Sequence, residues 1–233
     1  MGMHWNAGGD VVTAAVVPYS HMDEEDSGLF YDTMNALLVY ANRRLRVVRE
    51  DELRERPGAP HMLYEHGGQV AEALWRHRSL VDDFVLENPA GLDEEHLACA
   101  RPWRHALRDT FTCVGANADA AAYMNRDAVF VVGAMQDDAD AHVHAIPSLM
   151  LLTLLPFKGG IVTDGKTLHI SQSPASWAVP LMAQRARELA GSRLVSTAGQ
   201  LLDYVRRTEG GGSRVNRRIQ RAVDRGFADG TLL

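Results

Sequence analysis

"LLPFKGGIVTDGKTLHI", residues 154–170, decides how the middle of this chain is read. An apolar run ends at Phe157, Lys158 and a glycine pair follow, and Asp164-Gly165 then separates two short β-like arms. Asp-Gly between alternating arms is the strongest short-range hairpin signal, because a type I′ turn needs positive φ at both central residues. A hairpin at this point pairs Thr163 with Lys166, Val162 with Thr167 and Ile161 with Leu168. Gly159-Gly160 permits another reversal directly after Phe157, which gives three consecutive antiparallel strands. The same residues do not make a phosphate cradle, which needs more glycines, a Ser or Thr after the lysine, and a helix behind it. Lys158 is retained as a candidate binding cation on the turn, beside the plainer reading of a solvated lysine.

Upstream, "SLMLLTLLPF" at residues 148–157 is apolar almost throughout and predicts a central strand buried on both faces. "TFTCVGA", "AAYMN" and "AVFVVGAM" are short, rich in β-branched or aromatic residues, and separated by Asn, Asp and Gly. Together they predict a small antiparallel β-sheet or partly open barrel over residues 109–172, covered on one side by the helices before and after it. Its connections are too short for parallel pairing, which needs crossover helices.

The region before it, residues 1–108, reads as helical. Phe30, Met34, Leu37, Leu38, Ala41 and Leu45 recur at helical spacing, and the acidic run at 23–26 suits the start of that helix better than a metal site. A second helix is predicted over 69–87 and stopped at Asn88, which precedes a proline. A third begins behind Asp93 as its cap and is kinked or divided at Pro102. After the sheet, residues 173–209 predict C-terminal helices. The first has Ser173 as cap, Pro174 at its first position and Gly191 as its stop. Residues 210–233 form a tail joined through a Gly-Gly-Gly link. The fold class is α+β.

Composition limits the function classes. With 46% hydrophobic and 23% charged residues, the 233-residue chain is a folded protein rather than a disordered one. A formal net charge of −6 repels phosphate backbones at long range, so any nucleic-acid contact has to come from a local basic patch. Two cysteines, Cys99 and Cys113, without paired spacing exclude a disulfide framework and a cysteine-based zinc site, and they place the chain in the reducing cytoplasm. "DVVTAAVVPY" is too short to span a bilayer and lacks a signal-peptide layout, so no membrane partner is expected.

Two constellations carry candidate chemistry. In "QDDADAHVHAIP", residues 136–147, His142 and His144 share one side of an extended strand, with Asp138 and Asp140 as oxygen donors, and this set suits a metal-dependent hydrolase. The competing reading is a hydrated acidic loop. The tail places Arg214, Arg217, Arg218, Arg221 and Arg225 against Asp224, for a net charge of +4 between residues 213 and 227. Val215, Ile219, Val223 and Phe227 form a stripe behind them. Such a helix suits an acidic protein surface, a nucleic-acid backbone or a membrane face, or it docks on the chain's own acidic body. His61, His66 and His77 are a weaker cluster. Cys113 sits in a predicted strand as a small apolar residue, and no G-x-S-x-G elbow is present.

The stretch "TLLPFKGGIVTDG" resembles a segment of a group of uncharacterised bacterial proteins, in which an apolar strand leads into an "LLPF-K-GK-I-YDG" pattern. The likeness extends through "GLFYDTMNALLVYAN", "LWRHRSLVDDFVLENPAGLDEEHL" and the strands above, over residues 28–202. Thr163 replaces the usual aromatic and Gly160 the usual basic residue. The resemblance implies one continuous fold and life inside a bacterial cell, and lends no catalytic residues. The combined expectation is a non-catalytic binding or regulatory module without a cofactor, with another protein as partner and homo-oligomers allowed. The alternatives are the metal-dependent hydrolase and a nucleic-acid accessory protein acting through the tail.

Overall fold

A computed structural model describes residues 15–53, 66–141, 143, 145–171, 175–208, 215 and 217–231. The chain forms two compact units, one from Asp23–Leu107 with Gly210–Leu233 and the other from Met1–Met22 with Arg108–Glu209.

In the helical unit, α1 (Glu24–Leu45) starts where the acidic run predicts: Asp23 is the cap, accepting from the Asp26 amide at 2.8 Å, and Glu24, Glu25 and Asp26 fill the first turn. The predicted stripe is buried from Phe30 to Ala41. The expected single helix over 69–87 is two helices, α2 (Gly67–Arg76) and α3 (Ser79–Glu87), broken at His77 with φ −123° and ψ 49°. The apolar pattern runs on through the break because Trp75, Val81 and Phe84 are all fully buried. Asn88 ends the helix ahead of its proline, though in the left-handed region at φ 41° that asparagine tolerates and not in the extended backbone usual before proline, and its side-chain amide clamps Leu92 with two 2.8 Å bonds. Asp93 caps α4 (Glu94–Ala100), accepting from the His96 amide at 3.0 Å, and Pro102 opens a 3-10 turn, Arg101–His105. The last helix, α7 (Arg217–Ala228), belongs to this unit.

The other unit holds β1 (Leu107–Ala116), β2 (Ala120–Met124), β3 (Val129–Gly133), β4 (Ser148–Phe157), β5 (Gly160–Thr163), β6 (Leu168–Ser171), α5 (Ala178–Ser192), β7 (Leu194–Val195) and α6 (Ala198–Arg207). Strand order is β5-β4-β1-β2-β3-β7, with β6 also on β4, and the sheet does not close. The pairs β1–β2, β2–β3 and β4–β5 are antiparallel as expected, β6 also runs antiparallel but pairs with β4 and not with β5, and β4 is the buried central strand predicted. The short β7 joins β3 in parallel, so the sheet is mixed; α5 supplies the crossover that a parallel neighbour needs.

Cover comes from both faces rather than the one expected. Ala186 and Leu189 of α5 pack on Ala120, Ala122, Met124, Val129 and Val131. On the opposite face Tyr204 of α6 meets Phe130 edge-on at 5.0 Å, and Phe130 meets Phe111 in turn at 5.5 Å. Ser173 and Pro174 lie outside the described residues. The helix they were expected to open begins at Ala178 behind an uncapped Trp177, and Gly191 lies inside it rather than at its stop. Thr197 and Gln200 form a capping box that starts α6.

The opening stretch folds differently from its Asp-Gly signal. The hairpin turn is Lys158-Gly159, with φ of 42° and 84°, and it pairs Phe157 with Gly160 and Leu154 with Thr163. After Thr163 the chain does not reverse. It kinks through Asp164-Gly165 and continues as β6 along the same edge of β4, pairing Leu151 with Leu168. Of that dipeptide only Gly165 has positive φ, at 70°. The physical reason is the length of β4. A hairpin at Asp164-Gly165 would pair β6 with β5 and leave the edge of Leu149–Leu151 unpaired in a buried sheet, at the cost of several orphan backbone groups. The kink places Asp164 opposite Thr153 on β4, whose carbonyl accepts the Asp164 amide at 3.2 Å and whose hydroxyl accepts from Arg108 at 3.1 Å. All three side chains are buried. Urea denaturation should therefore show Gly159→Val losing about 2 kcal/mol, and Lys158→Asn, which tolerates the left-handed region, gaining about 0.5 kcal/mol.

A strap formed by residues 15–22 lies over this sheet. The amides of His21 and Met22 donate to the carbonyls of Ala134 and Met135 at 3.0 and 2.8 Å, and Tyr19 meets Phe157 edge-on at 5.1 Å. Tyr19 also passes directly above Gly133 of β3 and Gly160 of β5. Those strands are far apart in the order but near one another in space, as the 3.3 Å contact of Thr163 Oγ1 with Met135 Sδ shows. Among the described residues no helix is long and apolar enough to cross a membrane.

Candidate functional site

The predicted tail helix forms as α7, and its docking decides which side chains face outward. Val223 and Gly226 are buried, and Ile219 and Phe227 are half-buried. Beside this apolar seam lies a polar clasp to α2. Gln220 Nε2 donates to Glu72 Oε1 at 3.0 Å, and Arg76 reaches Glu72 at 3.2 Å and Asp224 at 2.6 Å. Glu72 is buried, so its charge needs these donors. The one acid of the tail's arginine-rich stretch, Asp224, is thereby turned toward Arg76 of the body instead of neutralising its own helix.

What remains outward is basic. Arg217, Arg221 and Arg225 lie at successive fourth positions and are exposed, with exposed Arg218 beside them. At about 100° per residue, all four fall within an arc of about 100°, opposite the buried seam, and each fourth residue advances about 6 Å along the axis. The exposed large apolar side chains of the described residues, Val16, Leu86, Trp177 and Leu181, are on other segments. Arg214 lies outside the described residues. The sequence pointed to the arginines but not to Glu72, Arg76 and Gln220; the available signal was Asp224, one acid in a basic helix, with Gln220 one turn before it.

The other candidates do not assemble. His142 and His144 lie outside the described residues. Asp138 and Asp140 are exposed in a chain of turns, where their carbonyls accept from Ala141 and Val143 at 3.0 and 3.1 Å. Among the described residues no three His, Cys, Asp or Glu side chains gather as a metal site. His61 also lies outside them. His66 takes a left-handed conformation ahead of α2, and His77 Nδ1 sits 3.0 Å from the Ala73 carbonyl. Lys158 is exposed, and its placement is explained by the hairpin. Cys113 is fully buried and its thiol is pushed up to about 12 by that burial, so it is not a nucleophile near neutral pH. Comparison with protein-family models, curated proteins and solved structures returned no match.

Proposed function

We propose that this protein is a non-catalytic binding module that holds the phosphate backbone of a nucleic acid on the outer face of α7. The observation that carries the reading is the clasp. By taking Asp224 into contact with Arg76, and burying Val223 and Gly226, it leaves four arginines on one exposed arc. Phosphate contacts are made by such side chains without base readout, so the binding is sequence-tolerant. A nucleic acid fits better than an acidic protein, because a stable protein interface is built round an apolar or aromatic centre and none of the exposed large apolar residues is on this helix. The overall charge of −6 opposes approach from elsewhere on the surface and favours this ridge as the point of contact.

Fluorescence anisotropy with a labelled duplex and a labelled single strand of mixed sequence tests the proposal. Binding should weaken steeply with salt. Replacing Arg217, Arg221 and Arg225 together by Gln should weaken it at least tenfold and make the log–log salt slope shallower by about 2–3, as released counterions are lost. Equal affinity and equal slope in the triple variant would remove α7 as the contact. Displacement by polyglutamate as efficient as by unlabelled nucleic acid would favour an acidic protein instead.

A further inference from the structure

The ridge on α7 has a fixed step and a fixed length. Arg217, Arg221 and Arg225 are exposed at successive fourth positions, about 6 Å apart along the axis and about 12 Å from first to last. The next fourth position is the exposed Asp229, so the cationic row ends there. The helix that carries the row is held along its inner side. Val223 and Gly226 are buried, Gln220 and Asp224 are tied to Glu72 and Arg76 of α2, and the Asp229 amide extends the last turn onto the Arg225 carbonyl at 2.9 Å. The three arginine stems therefore start from a straight and rigid line of backbone.

Beside that line the surface offers charge and no stacking face. Every described Phe, Tyr and Trp of this unit is buried, except Phe227, which is half-buried in the α7 seam; Trp75, Phe84 and Trp103 have no exposure at all. Proteins that hold single strands combine a basic groove with aromatic side chains on which successive bases stack, and the stacking supplies much of the affinity. A single strand held by phosphate contacts alone also has to be ordered against the row, and that entropy counts against binding. A duplex arrives already ordered. It carries one phosphate per about 1.7 Å of its axis, both strands counted, so a straight row of about 12 Å meets several phosphates without either partner changing shape.

We infer, resting on the phosphate-binding reading of α7, that the ridge selects the double-stranded form of a nucleic acid and holds single strands weakly. Each of the three guanidinium groups donates to phosphate oxygens, and the bases stay inside their stack. Three neutralised phosphates give a log–log salt slope of about −3 on a duplex, against about −2 on a single strand.

Fluorescence anisotropy of the full chain with a labelled DNA duplex of mixed sequence, and with each of its separated strands, tests this at about 50 mM salt. The duplex should bind at least tenfold more tightly than either strand, with the slopes given. Ala222→Trp, at an exposed position on the flank of the ridge, should supply the missing stacking face: single-strand affinity should rise about fivefold while duplex affinity stays within about twofold. Trp177→Ala removes the exposed aromatic side chain of the other unit and should change neither affinity. Single strands that bind as tightly as the duplex would overturn the selectivity, and a loss of binding in the Arg217, Arg221 and Arg225 to Gln variant would then still uphold α7 as the contact. Unchanged single-strand affinity in Ala222→Trp, or its loss in Trp177→Ala, would overturn the selectivity as well. Absence of binding to either form, or full binding in the triple variant, would remove the α7 contact and the selectivity together.

Discussion

Replacing Gly133 by alanine is expected to destabilise the protein by about 3 kcal/mol, because the added methyl has nowhere to go. Its Cβ would stand 2.0 Å from the Tyr19 carbonyl oxygen and 3.1 Å from the carbonyl carbon, both backbone atoms of the strap. Relief would mean lifting the strap and breaking the bonds from His21 and Met22 to Ala134 and Met135. Gly160 is crowded differently: there the nearest atom is the Tyr19 Cβ at 2.7 Å. Chemical denaturation of a small set of variants separates the two positions. Tyr19→Gly should restore most of what Gly160→Ala loses and little of what Gly133→Ala loses, since only the former clash ends when the side chain is removed. A Gly133→Ala protein within 0.5 kcal/mol of the parent would show that the strap does not lie across β3.

The second large effect is alkaline. Burial raises the Cys113 thiol from its ordinary 9.0 to about 12, so the folded state holds this proton where the unfolded state releases it. For an acid whose folded pKa is raised, the stabilisation is complete below the unfolded value and is lost as pH rises toward the folded one. Stability should therefore fall between pH 9 and 12, by up to about 4 kcal/mol across the whole window at 1.36 kcal/mol per pKa unit. Tyr123 is raised by the same cause and adds a loss of the same sign above pH 10. Arg78 acts oppositely there, since burial and the neighbouring Arg104 lower it to about 10 and its deprotonation relieves the folded state. The cleaner interval is pH 8.5 to 9.5, where Arg78 is still mostly protonated and the Cys113 contribution steepens from about −0.3 to about −1 kcal/mol per pH unit. Cys113→Val should flatten it. A parent slope equal to that of the variant over this interval would refute the assignment.

Where a short-range signal agreed with the long-range demand, the fold was legible in the sequence. Asp23 and Asp93 cap the helices they precede, Asn88 leaves the helix before its proline, and the apolar run at 148–157 is the buried central strand. The misreadings occur where the two conflict. Asp164-Gly165 has the stronger turn chemistry, yet the reversal falls at Lys158-Gly159 because only that choice pairs both halves of the β4 edge. The break at His77 is invisible to periodicity, since apolar residues on either side are equally buried. The parallel pairing of β7 involves just two residues, too few to leave a pattern. For the candidate site, five arginines in one amphipathic segment announced a basic face. Which acid would be withdrawn from it depended on Glu72 and Arg76, nearly 150 residues away in sequence.

The strap and the clasp also bear on how the chain is made. Tyr19 leaves the ribosome 114 residues before Gly133, the backbone it must cover, and Gln220 follows its partner Glu72 by 148. Each compact unit is thus interrupted by the other, and neither can finish while only its first part has been synthesised. Closing a loop of that length costs on the order of 4 kcal/mol of chain entropy, which the strap recovers only once β3 and β5 already stand. The early helices have local contacts and can form during elongation, whereas the sheet waits for nearly the whole chain. The strap is accordingly a late event, and a nascent chain halted before residue 160 presents a bare sheet edge to which chaperones have access.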